Sequence, residues 1–403
     1  MNQGKYVFNQ LTDFLPQRVL DRLVEKYNGN KYVKFFSCWN QLSCMLFGQL
    51  SGRESLRDLM IGIEAHRSKF YHLGFGKNVS RSNLAKANER RNYRIFEELA
   101  YHLIYEARRV TAIKDFDLNI KSNVYAFDSS TIDLCLSVFW WAEFRKTKGG
   151  VKLHTLFDVK TSIPSCIIIT KASVNDMNAL DLLTYEPGGY YILDRGYTDY
   201  ERLYRIQQHS AYFVTRTKKN LRFKRMYSNG VDKDRGVLSD QIGKLEGFYS
   251  VQYYPYKLRK IKYYDEETER TFEFITNNFD LKAHEIALLY KYRWKVELFF
   301  KWIKQHLKIK SFWGTTPNAV KVQIYSAIIV YCLVAIVAYR LKVDRSPYEI
   351  LQILSISLFD KTPLKELLTN QDYQDVKELN CIQLKINYIL VDTNENSVKA
   401  ILS

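Results

Sequence analysis

Hydrophobic and polar positions change their period along the chain, and the change predicts two kinds of structure. Apolar residues recur at helical spacing in four early segments, residues 14–27, 36–49, 55–66 and 81–107, with glycine-containing turns between some of them. From residue 123 onward, short apolar runs typical of buried strands take over. We therefore expect an all-helical domain over residues 1–115, followed by a mixed α/β region.

The α/β region alternates strands and helices in a recognisable order. Strands are predicted at residues 124–132, 151–159, 163–170, 190–197 and 211–216, and helices at residues 178–183 and 200–208. This order, β-β-β-α-β-α-β over residues 120–216, is that of the ribonuclease H-like fold, in which the first and fourth strands are neighbours. Asp128 lies on the first and Asp194 at the end of the fourth, so both acids should converge on one rim of the sheet.

Residues 217–280 interrupt this order with a different composition. Basic residues cluster at positions 218–225, and residues 249–264 and 269–276 predict a β-hairpin with a polar turn. We interpret the segment as an inserted β-rich subdomain. Its aromatic residues alternate with cations, which fits stacking on unpaired bases as well as ordinary cross-strand pairs.

A basic helix with one acid is predicted over residues 290–304. Tyr290, Glu297 and Lys304 share one line of this helix, and Arg293 lies one turn before Glu297. Glu297 fits ordinary i, i+4 ion pairs with its neighbours. It also fits a ligand of a divalent cation, with the flanking cations holding phosphates. Seven cations against this single acid between positions 291 and 310 favour the second interpretation.

Residues 322–339 form an uncharged apolar run of marginal length for a membrane span. We expect a buried helix, which together with the preceding basic helix completes the core over residues 281–345. The C-terminal region, residues 346–403, is predicted to contain a helix at 346–368 and a strand at 381–391. Dimerisation is the role we expect for it.

The charge of the chain changes the choice of partner. Sixty Lys and Arg residues against 43 Asp and Glu residues give a net charge of +17, which favours a polyanion such as nucleic acid. Residues 80–92 present Arg, Asn and Lys after a capping serine, as a recognition helix or a solvated helix would. Six scattered cysteines and the lack of a signal peptide indicate a reducing compartment, the cytoplasm.

The three acids from distant segments suggest phosphodiester chemistry. Cleavage or exchange requires an activated attacking oxygen and a neutralised leaving oxygen, which two Mg²⁺ ions about 4 Å apart provide through carboxylate ligands. Each acid is weak evidence by itself, because Asp133, Asp158 and Asp199 are alternatives close by.

At these positions the sequence resembles a known family. Tyr290-x2-Arg293-x3-Glu297-x6-Lys304 matches the Tyr-Arg-Glu-Lys signature of bacterial transposases of the insertion-sequence-four family, whose catalytic acids are Asp-Asp-Glu. Further stretches resemble the family's two aspartate motifs and the strand that follows them: Asp128-Ser129-Ser130-Thr131, Asp194-Arg195-Gly196-Tyr197 and Phe213-Val214-Thr215-Arg216. The resemblance covers essentially the whole chain.

The resemblance implies a Mg²⁺-dependent DNA transposase, with Mn²⁺ as a substitute metal. Asp128, Asp194 and Glu297 would ligate two metal ions. The residues implied to contact DNA are Arg293 and Lys304 at phosphates near the cut, Tyr290 at the DNA end and Arg216 at the backbone. Relatives bind the element's terminal repeats through the helical N-terminal domain. They excise the element through a hairpin and join it to target DNA within a synaptic dimer.

One departure concerns the hairpin step. Hairpin-forming relatives hold a flipped base against a tryptophan of the inserted subdomain, whereas this chain has no Trp between Trp141 and Trp294. Phe272 is the residue we expect to stack in its place. Two alternatives remain: a metal-dependent nuclease that cuts without joining, and a catalytically inactive DNA-binding regulator.

Overall fold

The computed structural model describes residues 4–75, 79–111, 116–145, 148–218, 220–309 and 311–369. The predicted strand at 381–391 lies outside these residues. Helices account for the first part of the described chain: α1 (Val7–Thr12), α2 (Gln17–Lys26), α3 (Cys38–Leu50), α4 (Leu56–Glu64), α5 (Phe70–Leu73), α6 (Arg81–Arg90) and α7 (Arg94–Val110).

The predicted helix at 81–107 is two helices, α6 and α7. Asn318 explains the break, because its side-chain amide donates to the carbonyls of Asn88 and Arg91 and its oxygen accepts from the Tyr93 backbone N–H. These bonds satisfy backbone groups at the end of one helix and the start of the next, where no intrahelical partner exists.

The α/β part contains one large mixed sheet with helices on its faces. Its elements are β1 (Val124–Leu134), β2 (Glu143–Arg145), β3 (Lys148–Asp158), β4 (Ile163–Lys171), α8 (Asp176–Leu180), β5 (Tyr190–Leu193), α9 (Tyr200–Gln208), β6 (Tyr212–Arg216), β7 (Phe223–Ser228), β8 (Val237–Leu245), α10 (Phe248–Tyr253), β9 (Leu258–Asp265) and β10 (Arg270–Thr276). The strand order is β2-β3-β1-β5-β6-β10-β9-β8-β7, with β4 also paired to β3. The mixed α/β class is therefore as predicted.

The strands of residues 217–280 continue the same sheet. β10 pairs antiparallel with β6, and β9, β8 and β7 follow outward in turn. The predicted strand at 249–264 is only partly correct, because residues 248–253 form α10 and β9 starts at Leu258. Gly247, at φ +104°, turns the chain between β8 and α10 in a conformation that other residues rarely adopt.

The C-terminal half supplies α11 (Ala283–Lys291), α12 (Trp294–His306), α13 (Pro317–Arg340), α14 (Pro347–Ser357) and α15 (Leu364–Leu368). The predicted helix at 346–368 is thus two helices. α13 is the one helix of the described residues long and apolar enough to cross a membrane, yet 78% of its most apolar window is buried. It packs against α7, α3, α6 and α14, which agrees with the predicted core helix.

The prediction of one helix over residues 290–304 is wrong. α11 ends at Lys291 and α12 begins at Trp294, with Arg293 at its N-cap. Tyr292 lies at the break, where its hydroxyl bonds the Asp117 carboxylate at 3.2 Å and its ring contacts Phe116. These tertiary contacts hold the turn, so Tyr290 and Glu297 belong to different helices.

Candidate active site

Two aspartates lie next to each other at one rim of the sheet. β1 and β5 are parallel neighbours, and their register ends with Phe127 opposite Leu193. The next residue on each strand is Asp128 and Asp194, respectively. The pairing agrees with the prediction that these two strands are neighbours.

Asp128 is largely buried and in contact with polar groups. Its carboxylate accepts hydrogen bonds from the Ser129 backbone N–H at 2.8 Å and the Tyr197 hydroxyl at 3.5 Å, and Arg293 Nη1 lies 3.4 Å away. Burial raises the pKa of Asp128 to about 6; the charges of Glu297 and Asp194 add to the increase, against Ser129 and Arg293. Because the charges of Glu297 and Asp194 both raise the pKa of Asp128, the three carboxylates are close enough to interact electrostatically.

The pKa of Asp194 shifts in the opposite direction. Its carboxylate accepts from the Tyr290 hydroxyl at 3.3 Å and pairs with Arg216 Nη2 at 3.2 Å. Burial acts to raise the pKa of Asp194, but the Arg195 backbone N–H, the guanidinium groups of Arg293 and Arg216, and the Gly196 N–H outweigh burial and lower it. Asp194 is therefore the acid of the pair that ionises more readily.

α12 places Glu297 at the same rim. Its apolar face, Val296, Phe299, Phe300 and Ile303, is buried, and the helix contacts β1 and β3. Lys295 Nζ donates to the Val159 carbonyl at 3.2 Å, and Lys304 Nζ to the Thr131 carbonyl at 2.7 Å. The two lysines brace the helix, while Glu297, in its first turn, keeps a side chain 53% exposed.

Arg293 connects the acids. Its Nη2 lies 2.5 Å from Glu297 Oε1 and its Nη1 is near Asp128, while its charge also acts on Asp194. The i, i+4 pair between Arg293 and Glu297 thus exists beside a cluster of acids. The expectation that Arg293 holds a phosphate stays a prediction.

The donor set of this rim suits a divalent cation by its chemistry, since carboxylate oxygens are the ligands that Mg²⁺ and Mn²⁺ prefer. Among the described residues, however, no three His, Cys, Asp or Glu side chains form a ready-made metal-binding group. The Nε atoms of Arg293 and Arg216 are buried without a hydrogen-bond partner in the described chain. Two arginines with unsatisfied donors beside three acids are consistent with a site that rearranges when it binds its ligands.

A cavity of about 380 Å³ opens beside the acids. Arg216, Tyr290 and Arg293 line it, and the other aromatic side chains around it are Tyr263, Phe272, Phe274 and Trp294. Arg216 Cζ lies 5.9 Å from the centre of the Phe272 ring, within range of a cation–π contact. Trp294, half exposed, was missed by the sequence analysis, although an aromatic residue next to Arg293 in the signature was a usable signal.

The alternative acids have other contacts. Asp158 is buried and pairs with Arg108 at 3.0 Å, and Asp199 caps α9 by accepting from the Arg202 backbone N–H. Sequence reasoning also missed Asp176, which accepts a hydrogen bond from the Ser129 hydroxyl at 2.9 Å and pairs with Lys152. This second acid network stabilises the chain immediately after Asp128.

Comparisons with known proteins show what the chain is similar to. A family model described as a transposase DDE domain matches residues 120–333, and a domain of unknown function, DUF4372, matches residues 3–76. The chain is 34% identical to a putative transposase, y4zB, of Sinorhizobium fredii, over 63% of this chain and 70% of the relative. It is 28% identical to a probable transposase for insertion sequence element IS5377 of Geobacillus stearothermophilus, over 62% and 66% of the two chains.

A third relative, a putative transposase for insertion sequence element IS4SA of Synechocystis, is 26% identical over 73% of this chain and 83% of its own length. The match to the DDE domain covers more than half of the chain and includes Asp128, Asp194 and Glu297. The chain therefore belongs to the DDE transposases of bacterial insertion sequences, enzymes that act on DNA and depend on divalent metal ions.

Proposed function

We propose that this transposase cuts DNA at the ends of its insertion sequence and joins them to target DNA, with Asp128, Asp194 and Glu297 as the catalytic acids. The observation that supports this most is the side-by-side position of Asp128 and Asp194 on β1 and β5, with Glu297 linked to the first through Arg293. Acids from three separate parts of the chain meet on one rim, as a ribonuclease H-like catalytic core requires.

The acids would hold two Mg²⁺ ions, for which Mn²⁺ is a substitute. When bound, the ions activate the attacking oxygen and neutralise the leaving oxygen of the phosphodiester. Arg293 and Arg216 would bind phosphates in a bidentate manner once DNA is present. The Tyr290 hydroxyl donates to Asp194 and its side chain lines the cavity, where it would contact the DNA end. Lys304, bonded to the Thr131 carbonyl, holds α12 against β1 and adds positive charge there.

The cavity beside the acids is the proposed place for an unstacked base. Phe272 offers a ring for stacking and Trp294 a second one. A base held there would leave the scissile phosphate next to the acids, as a hairpin route requires.

The helical region, residues 1–115, is the proposed DNA-binding domain. A groove of about 660 Å³ lies between the loop at residues 28–36 and α6. Its described lining contains no carboxylate and five cations, Lys31, Lys34, Lys86, Arg90 and Arg91. Tyr32, 92% exposed, and Phe35, 64% exposed, stand at its edge. A duplex bearing the terminal repeat would complement this charge, with the exposed face of α6 toward the bases.

The remaining assignments follow the same division of the chain. Residues 120–216 and 281–345 would form the catalytic core, and residues 217–280 an insertion that widens its sheet. Residues 346–403 would support a homodimer in the synaptic complex. The enzyme would act in the cytoplasm, at the nucleoid, without a membrane.

One reaction tests the proposal. The purified protein is incubated with linear DNA bearing the two ends of its element and a supercoiled target plasmid, in Mg²⁺ or in EDTA. We expect cut ends and a joined product in Mg²⁺ alone, and neither with Asp194→Asn. Cut ends without a joined product would favour the nuclease, and end binding without cleavage would favour the inactive regulator.

A further inference from the structure

Each of the three acids is in contact with an arginine. Arg293 contacts Asp128 and Glu297, and Arg216 contacts Asp194. Both guanidinium groups flank the ring of Tyr290, with Cζ atoms 6.0 Å (Arg293) and 5.8 Å (Arg216) from its centre. The carboxylate oxygens that would ligate a metal are thus already used by cations that belong to the protein.

Arg293 differs from an arginine with a structural role in the same chain. Arg259 pairs with Asp240 through two bonds of 2.9 Å, and its Nη1 also donates to the Leu281 carbonyl at 2.6 Å. Among the described residues, Arg293 donates to the carboxylates of Asp128 and Glu297, and its Nε has no acceptor. Within the described part of the chain, Arg293 is therefore fixed at its tip by the acids, with no backbone carbonyl as an acceptor.

A guanidinium and a divalent cation are incompatible at this place. Two cations a few ångströms apart in a partly buried site repel each other strongly. The Arg293 side chain is 17% exposed, so little water screens that repulsion. Among the described residues no ready three-donor group is present; Asp128 and Glu297 point at Arg293, and Asp194 points at Arg216.

We propose that the Arg293 guanidinium occupies the metal position of the DNA-free enzyme, so that a divalent cation binds only as Arg293 swings away and transfers to a DNA phosphate. The inference rests on the proposed function, since it takes Asp128 and Glu297 as metal ligands. Bidentate pairing with a phosphate replaces the bonds that Arg293 loses. Metal and DNA therefore strengthen each other's binding, and by reciprocity the coupling is the same in either order of addition.

Mn²⁺ titration by calorimetry tests the competition without DNA or turnover. Arg293→Met keeps the apolar stem and removes the charge. Arg195→Met is the matched control, because it removes an exposed cation next to Asp194 that makes no ion pair within the described chain. We expect Arg293→Met to bind Mn²⁺ about tenfold more tightly than wild type, and Arg195→Met to change the Kd by less than about threefold. Equal effects of the two variants, or unchanged binding by Arg293→Met, would overturn the proposal. Circular dichroism of each variant verifies folding, and Arg293→Gln repeats the test if Arg293→Met does not fold.

The second arm adds duplex DNA bearing an element end and follows free Mn²⁺ by electron paramagnetic resonance, with the Mn²⁺ bound by the DNA alone measured separately and subtracted. DNA should tighten Mn²⁺ binding by wild type about tenfold and leave that of Arg293→Met nearly unchanged. Equal tightening in both proteins contradicts the coupling. If Glu297→Gln binds Mn²⁺ like wild type, the assignment of Glu297 as a metal ligand is wrong. If Glu297→Gln binds Mn²⁺ more weakly but Arg293→Met binds it like wild type, the ligand assignment is retained and the competition between Arg293 and the metal is rejected.

Discussion

The two basic surfaces of this transposase differ in how their cations are paired. At the rim that carries Asp128, Asp194 and Glu297, Arg293 and Arg216 contact carboxylates. In the N-terminal groove, the exposed cations Lys31, Lys34, Lys86 and Arg90 form no ion pair within the described part of the chain. The rim combines charges of both signs in a partly buried site, whereas the groove presents one sign to solvent.

The difference separates chemistry from affinity. Unpaired surface cations displace counterions from DNA and contribute to binding in a salt-dependent way. Paired, partly buried charges contribute less to the affinity of the free enzyme, because their partners already neutralise them. In the proposed site they would define instead where charge is stabilised during the reaction. Changes at the rim should therefore alter catalysis and stability, and changes in the groove should alter binding.

The largest expected effect comes from Glu297→Gln. The neutral amide keeps the size of the side chain but loses the anionic ligand, and the several kcal/mol supplied by metal-assisted charge stabilisation correspond to a loss of about 1,000-fold or more in cleavage rate. End binding, measured by gel shift without metal, should stay close to wild type. Full cleavage activity in this variant would show that Glu297 is not a catalytic acid, and that changes at the rim do not act mainly on catalysis.

The rim could be predicted from the sequence as far as strand pairing determines it. The order of strands and helices, matched to the ribonuclease H-like fold, predicted that the strands carrying Asp128 and Asp194 are neighbours, and the register of β1 and β5 agrees. The turn between α11 and α12 could not be predicted, because helical periodicity continues through it. Contacts of Tyr292 with Asp117 and Phe116, far away in sequence, decide it.

The ion pairs of the rim could not be predicted from the sequence either. The spacing of Arg293 and Glu297 allowed both a surface pair and a metal site, and only the position of Asp128 shows that Arg293 contacts two acids. Similarly, α10 was not foreseen, because its aromatic residues have the composition of a strand while Gly247 and the buried Tyr254 place them on a helical turn. Tertiary contacts outweighed local preference at both positions.

A second effect should appear in stability. Burial and neighbouring acids raise the pKa of Asp128 from 3.8 to about 6, so the folded state binds more protons than the unfolded state between these values. Stability should therefore fall as pH rises from about 4 to 6, and the cost above that range is about 3 kcal/mol. In EDTA at pH 8, we expect Asp128→Asn to raise the Tm, with a smaller gain near pH 4.5.

The groove supplies the comparison for that experiment. Lys86→Ala/Arg90→Ala alters exposed side chains, so its Tm should equal that of wild type at both pH values. A Tm of Asp128→Asn at or below the wild-type value at pH 8 would show that ionised Asp128 does not destabilise the folded protein.

The third effect is on DNA binding. Lys86→Ala/Arg90→Ala removes two groove cations, and each lost phosphate contact should reduce the slope of log K against log salt by about 0.9, with an affinity loss of about tenfold at moderate salt. Fluorescence anisotropy with end DNA across a salt series measures both. Arg18→Ala/Arg22→Ala on α2, exposed and outside the groove lining, is the matched control. Equal losses in the two double variants would mean that net charge, and not the groove, determines binding.

The smallest effect concerns Phe272, which lines the cavity together with Arg216 and Arg293. Loss of stacking in Phe272→Ala should cost about 1 kcal/mol. We expect a smaller rise in the fluorescence of 2-aminopurine placed beside the cut, and a several-fold slower second cleavage step. Phe279→Ala removes an exposed aromatic ring outside the cavity and should change neither signal. If Phe272→Ala instead weakens end binding with the salt dependence of the groove variants, the cavity is part of the DNA-binding surface. The surface that determines affinity then extends to the residues next to the acids, although the arginines there are paired.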